Sequence, residues 1–90
     1  MFDINSNPAT IRNCAKTVRN TINEIEDTSS LIERTIKSSA DWSDEKGDEY
    51  REIMHRIDDL VKQPLDTLTY SAPQLDRLAD ALDDYLNTRF

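Results

Sequence analysis

The residues able to do chemistry are few and scattered. His55 is the only histidine and Cys14 the only cysteine in 90 residues. Neither stands at ligand spacing from a second soft donor, so a zinc site or a His-based acid/base pair lacks its parts. A lone cysteine excludes an internal disulfide, and the plain reading of Cys14 is a small, half-buried thiol. Asp58-Asp59 and Asp83-Asp84 are paired in sequence only. Neighbours on a helix point in different directions, so these carboxylates read as solvated faces. The acidic stretch from Asp41 to Glu49 resembles a calcium loop at first glance. Placing Gly47 at the sixth loop position, however, puts Trp42 first and Lys46 fifth, where oxygen ligands are required. These acids suit the N-terminus of a helix better. No catalytic residue, cofactor or metal is therefore expected, and the chain reads as non-enzymatic. Trp42 is the residue that asks for a use, as an aromatic capping the end of a core or as an interface anchor.

The elements that would place Trp42 follow from spacing. One Gly and three Pro in the whole chain are too few turn-formers for a sandwich or barrel. Leu, Ile, Val and Phe supply twenty of the 90 residues, barely above the level at which a charged chain stays disordered, so their arrangement decides the matter. Asn7 reads as an N-cap with Pro8 at the first helical position. From Ile11 through Ala15, Val18, Ile22, Ile25, Ser29, Ile32 and Ile36 to Ser39, the steps alternate between four and three, the spacing of a helical seam. Helix 1 is expected over about 8–39.

A turn is expected over 40–44, with Asp41 or Ser43 as the cap of the next helix. Tyr50, Met54, Ile57, Val61, Pro64, Leu68, Ser71, Leu75, Leu78, Leu82 and Tyr85 then keep the same alternation. This predicts a long second arm: helix 2 over about 44–70, a break near Tyr70–Pro73 with Ser71 as cap, and a C-terminal helix over about 73–87. Pro64 is the other place where the arm can kink. At 1.5 Å per residue the arms would reach roughly 48 and 64 Å, which do not match. A two-helix domain this small is marginal alone. The expectation is an all-α, antiparallel helical hairpin with a kinked second arm, completed by a protein partner into a four-helix bundle. The seam offered to that partner is Val18, Ile22, Ile25, Ile32, Ile36, Ile57, Val61, Leu68, Leu75, Leu78 and Leu82.

Charge narrows the partner. Residues 1–40 are neutral overall, and residues 41–90 carry the entire net charge of -7. Neither nucleic acid nor an anionic membrane surface is an expected partner, and no segment is apolar enough to span a bilayer. The N-terminus lacks the basic and apolar regions of a secretory signal.

Trp42, Ser43, Asp44, Gly47 and, eight residues after the tryptophan, Tyr50 resemble the central turn of the Trp-x-Gly family, the early-secreted-antigen-like small proteins of type VII secretion. The resemblance implies a helical hairpin that forms homo- or heterodimers, with Trp42, Asp44, Gly47 and Tyr50 at a partner-binding turn and a secretion ATPase as a further partner. Two departures bear on the role. Asp44 stands where the family has its glycine, and neither Tyr70 nor Tyr85 is followed by an acid at the fourth position, the family's export signal. The implied role is a small helical partner or targeting chaperone of a larger secreted effector, or a secreted substrate itself. The chain would be cytoplasmic before export, with a secreted or envelope-associated fate that needs no signal peptide. The alternative is an intracellular acidic binding protein, such as an immunity protein or coiled-coil regulator, that binds a basic partner.

Overall fold

The computed structural model describes residues 7–88, and among them all regular structure is helical. The helices are α1 (Pro8–Ser38), α2 (Glu45–Lys62) and α3 (Leu65–Asn87). At the start of α1 the Asn7 side chain accepts the Thr10 N–H at 2.9 Å, as an N-cap does.

The interruption of the second arm lies at Gln63–Pro64, and not at Tyr70–Pro73. Proline has no N–H for the Leu60 carbonyl, and the Gln63 N–H takes that carbonyl instead at 3.3 Å, tightening the turn. Pro73 lies inside α3. Its fixed φ is already helical, so the cost is the bond it cannot donate and the crowding of the preceding turn. Ser71 accordingly caps nothing: its hydroxyl donates back to the Thr67 carbonyl at 2.7 Å within α3.

The described residues form two compact units, a terminal unit (7–22 with 66–88) and a central unit (23–65). In the terminal unit the first half of α1 runs antiparallel to α3. Its buried apolar residues are Ala15, Ala72 and Ala79. Such small side chains let helix backbones approach closely, and close packing then replaces bulk. Around them Arg12 bonds Asp80 at 2.8 Å and Asp83 at 2.6 Å, while Arg19 bonds Asp76 at 2.5 Å. These pairs are solvent-exposed, so each contributes little to stability.

In the central unit the second half of α1 runs antiparallel to α2. Ser29 and Asp58 are buried at its centre, and the serine hydroxyl donates to the carboxylate at 2.6 Å. Asp58 also holds Lys62 at 3.2 Å, and Lys62 reaches Glu33 of α1 at 3.7 Å.

Both arms therefore turn inward at small or polar positions, and on the second arm this corrects the expected seam. Met54, Val61, Leu68, Leu75 and Leu82 are half-buried as the spacing predicts. The alternate positions are shifted by one residue: Asp58, Leu65 and Ala79 face inward in place of Ile57, Pro64 and Leu78, and Ala72 is buried beside a half-buried Ser71. Ile57 and Leu78 are left 42% and 55% exposed, and Tyr85 is exposed as well. The physical reason is local: alanines permit a closer approach than leucine, and the Ser29 hydroxyl gives Asp58 a hydrogen bond that Ile57 could not make. On α1 the predicted residues Val18, Ile22, Ile25, Ile32 and Ile36 are all half-buried. Cys14 is exposed and not half-buried, because Ala15 beside it takes the inward position.

Candidate partner-binding surface

The turn is built from the end of α1 upward. Ser39 N–H returns to the Ile36 carbonyl, Ala40 N–H to that of Lys37 and Trp42 N–H to that of Ser39, so the chain leaves the helix through successive tight turns. The Ser39 carbonyl also accepts Arg51 of α2 at 2.5 Å. A cation thereby meets one of the carbonyls that the end of α1 leaves without a helical partner. Arg51 is in turn held by Asp48 at 2.8 Å.

The cap of α2 is Asp44, and neither Asp41 nor Ser43. Its backbone is extended, with φ -85° and ψ 175°, and its carboxylate accepts the Gly47 N–H at 3.0 Å. That bond, with a contribution from the Trp42 indole, holds the Asp44 carboxyl below its ordinary range. Glu45 and Asp48 lie in the same first turn, where the helix dipole favours acids. The acidic cluster is thus accounted for as helix chemistry.

Gly47 is the reason the tryptophan can sit where it does. A Cβ at this position would overlap the Trp42 carbonyl and lie 2.8 Å from the indole Cγ. The one glycine therefore lets the turn close onto the first turn of α2, and it is itself buried. Trp42 then meets Tyr50 with ring centroids 5.6 Å apart and planes tilted by 38°. This separation and tilt suit an aromatic pair. The indole nevertheless remains 43% exposed. Of the four turn residues singled out, Trp42 offers surface, Tyr50 supports it, Asp44 caps the helix and Gly47 supplies space.

At the centre of this unit the Ser29 hydroxyl and Lys62 hold the Asp58 carboxyl low, against a burial that pushes it up. Asp58 in turn pushes Lys62 up. Every buried polar side-chain atom among the described residues has a partner. His55 lines a shallow surface depression with Glu33, Ile36 and Lys37. Among the described residues no three His, Cys, Asp or Glu side chains stand together as a metal site, and no helix is long and apolar enough to cross a membrane.

Sequence reasoning missed the second apolar stripe. Leu31, Ile53 and Leu60 are large and exposed, and none of them belongs to the predicted seam. The signal was present in α2, where Ile53, Ile57 and Leu60 follow each other at steps of four and three directly beside Met54, Asp58 and Val61. A stripe this wide exceeds what one neighbouring helix covers.

No protein-family model matches the chain, and no curated protein or solved structure matches it significantly. The class is therefore defined by geometry: an all-α protein whose antiparallel helix pairs leave large apolar side chains and a turn tryptophan in solvent.

Proposed function

We propose that this chain is a non-enzymatic helical protein of specialised secretion, similar to the Trp-x-Gly family, that serves as partner or targeting chaperone of a larger secreted protein. In this reading its arms form a hairpin, and helices of the partner complete a four-helix bundle. It meets the partner in the cytoplasm before export. The observation that carries the reading is the turn: Trp42 lies over Gly47, against Tyr50, and keeps 43% of its surface exposed. A rigid, half-exposed indole at a turn is the kind of anchor that dominates interface energetics. The role of an acidic antagonist of a basic protein has less support, because Asp76, Asp80 and Asp83 already face Arg12 and Arg19 of the same chain.

The test is co-expression with the product of each neighbouring gene that carries its own N-terminal helical region. A stable 1:1 complex is expected. Trp42→Ala should weaken that complex at least about tenfold, or roughly 1.4 kcal/mol, with helicity unchanged. A complex indifferent to Trp42→Ala would remove the turn from the interface, and no complex would remove the partner role.

A further inference from the structure

Ser29 and Asp58 are the only buried polar residues among the described residues, 5% and 4% exposed, and they meet across the centre of the α1–α2 pair. The seam of α1 around Ser29 is otherwise isoleucine, with Ile25 before it and Ile32 and Ile36 after it, all half-buried. On α2 Asp58 stands between Met54 and Val61, half-buried as well. Apolar contact has no direction, so a run of like side chains packs nearly as well one seam step along as in place. Such a step, three or four residues, slides one helix past the other by roughly 5 Å. The turn alone does not forbid it, because the last turn of a helix frays and can release residues to lengthen a connection.

We infer that the Ser29–Asp58 hydrogen bond is the register lock of the α1–α2 pair, and that these two residues thereby position Trp42 from roughly 15 Å away along the helices. One step in either direction sets the Asp58 carboxylate against Ile25 or Ile32, and the Ser29 hydroxyl against Met54 or Val61. None of the four has a group to bond. A buried carboxylate without its donor costs more than a shifted apolar contact returns. Lys62 does not make this distinction, since it lies on the same helix as Asp58 and travels with it. Its reach to Glu33 of α1, at 3.7 Å, is solvent-exposed and contributes little. The turn depends on the register because it has a footing on each helix. The Trp42 N–H is tied to the Ser39 carbonyl at the end of α1, the indole rests on Gly47 of α2, and Arg51 of α2 reaches that same Ser39 carbonyl. A slip of roughly 5 Å pulls these footings apart. Stability alone does not account for the pair, because well-packed apolar side chains in place of a buried ionic group often hold a fold as firmly. What the apolar replacement lacks is a preference for one register. Such a lock needs no partner, and holds whether or not the turn meets one.

The experiment compares the full-length wild type, Ser29→Ala, and the double variant Ser29→Ala with Asp58→Leu, by thermal unfolding and by amide NMR spectra. Trp42 is the only tryptophan, so its indole N–H gives one peak for each environment of the turn. The wild type should show a single indole peak. Ser29→Ala alone should lower the Tm by about 5 °C or more, because Asp58 stays buried without its hydroxyl donor. The double variant should regain helicity and a Tm within about 5 °C of the wild type, or above it. Its indole peak should nevertheless split into two or more, with doubled amide peaks over 23–65. A double variant with one indole peak and one set of amides overturns the lock, and so does a wild type with several. Ser29→Ala at the wild-type Tm would show that the hydroxyl is not needed. A double variant that fails to fold would make the pair a stabilising contact and no selector of register. No partner enters these measurements, so each outcome leaves the effector reading to its own test.

Discussion

The terminal and central units solve one problem in two ways. Each pairs two helices with little apolar volume between them. The terminal unit does so by subtraction: Ala15, Ala72 and Ala79 remove bulk, the backbones close up, and exposed Arg–Asp pairs line the outside. The central unit does so by direction, with the Ser29–Asp58 bond at its centre and the Gly47–Trp42 contact at its turn. The difference teaches where each is vulnerable. Close packing of alanines fails when volume is added and is nearly indifferent to pH. A buried carboxylate with a hydrogen-bonded cap fails when the charge is removed.

The largest effect is expected from adding volume to the terminal unit. Ala79→Leu places a bulky side chain where exposure is 0%, and should cost about 1–3 kcal/mol in thermal unfolding followed by circular dichroism. A variant as stable as the parent would break the account of that unit as close-packed alanine. Gly47→Ala is the central unit's equivalent and should cost about 1 kcal/mol, even though alanine in a helix is favoured over glycine by about that amount. Trp42 fluorescence should shift as the indole is displaced. A stabilised Gly47→Ala protein would mean that the turn does not need the contact.

The smallest and most selective effect is acid. Asp44 and Asp58 have folded-state pKa values depressed below the ordinary 3.8. A depressed pKa means stability that is fully present above the unfolded value and is lost as pH falls through the folded one. Both carboxylates belong to the central unit. Between neutral pH and about pH 4 no loss is expected from them. Below that, Trp42 fluorescence and the amide exchange of α2 should report loosening before the amides around Ala79 do. Simultaneous loss in both units would erase the distinction drawn between them.

Much of this was legible in one dimension. The four-and-three alternation marks helices over nearly the right spans: α1 ends at Ser38, one residue before the expected limit, and Asn7 caps it as its side chain suggests. The turn also falls where its residues indicate. What spacing misplaced were the break, the cap of α2 and the inward register of the second arm. Two prolines offered two breaks, and local rules favoured Pro73. Packing of Ala72 instead keeps that stretch helical, and the tightened Leu60–Gln63 turn takes the interruption. Asp44 occupies the position of the family's glycine in the sequence, yet it caps α2 and leaves the close approach to Gly47. Of the candidate surface, Trp42 and Tyr50 were found from the sequence, while Leu31, Ile53 and Leu60 were not.

The amino-acid sequence by itself determined that the chain is helical, that its charge lies in its second half and that Trp42 stands between two helices. Periodicity suffices for that, because helix formation reads local spacing and capping. Which of two adjacent stripes faces inward was decided only by tertiary structure. Stripes one residue apart both look apolar in one dimension, and what separates them is whether a particular neighbour across the interface, an alanine allowing close approach or a serine hydroxyl aimed at a carboxylate, is there to meet them.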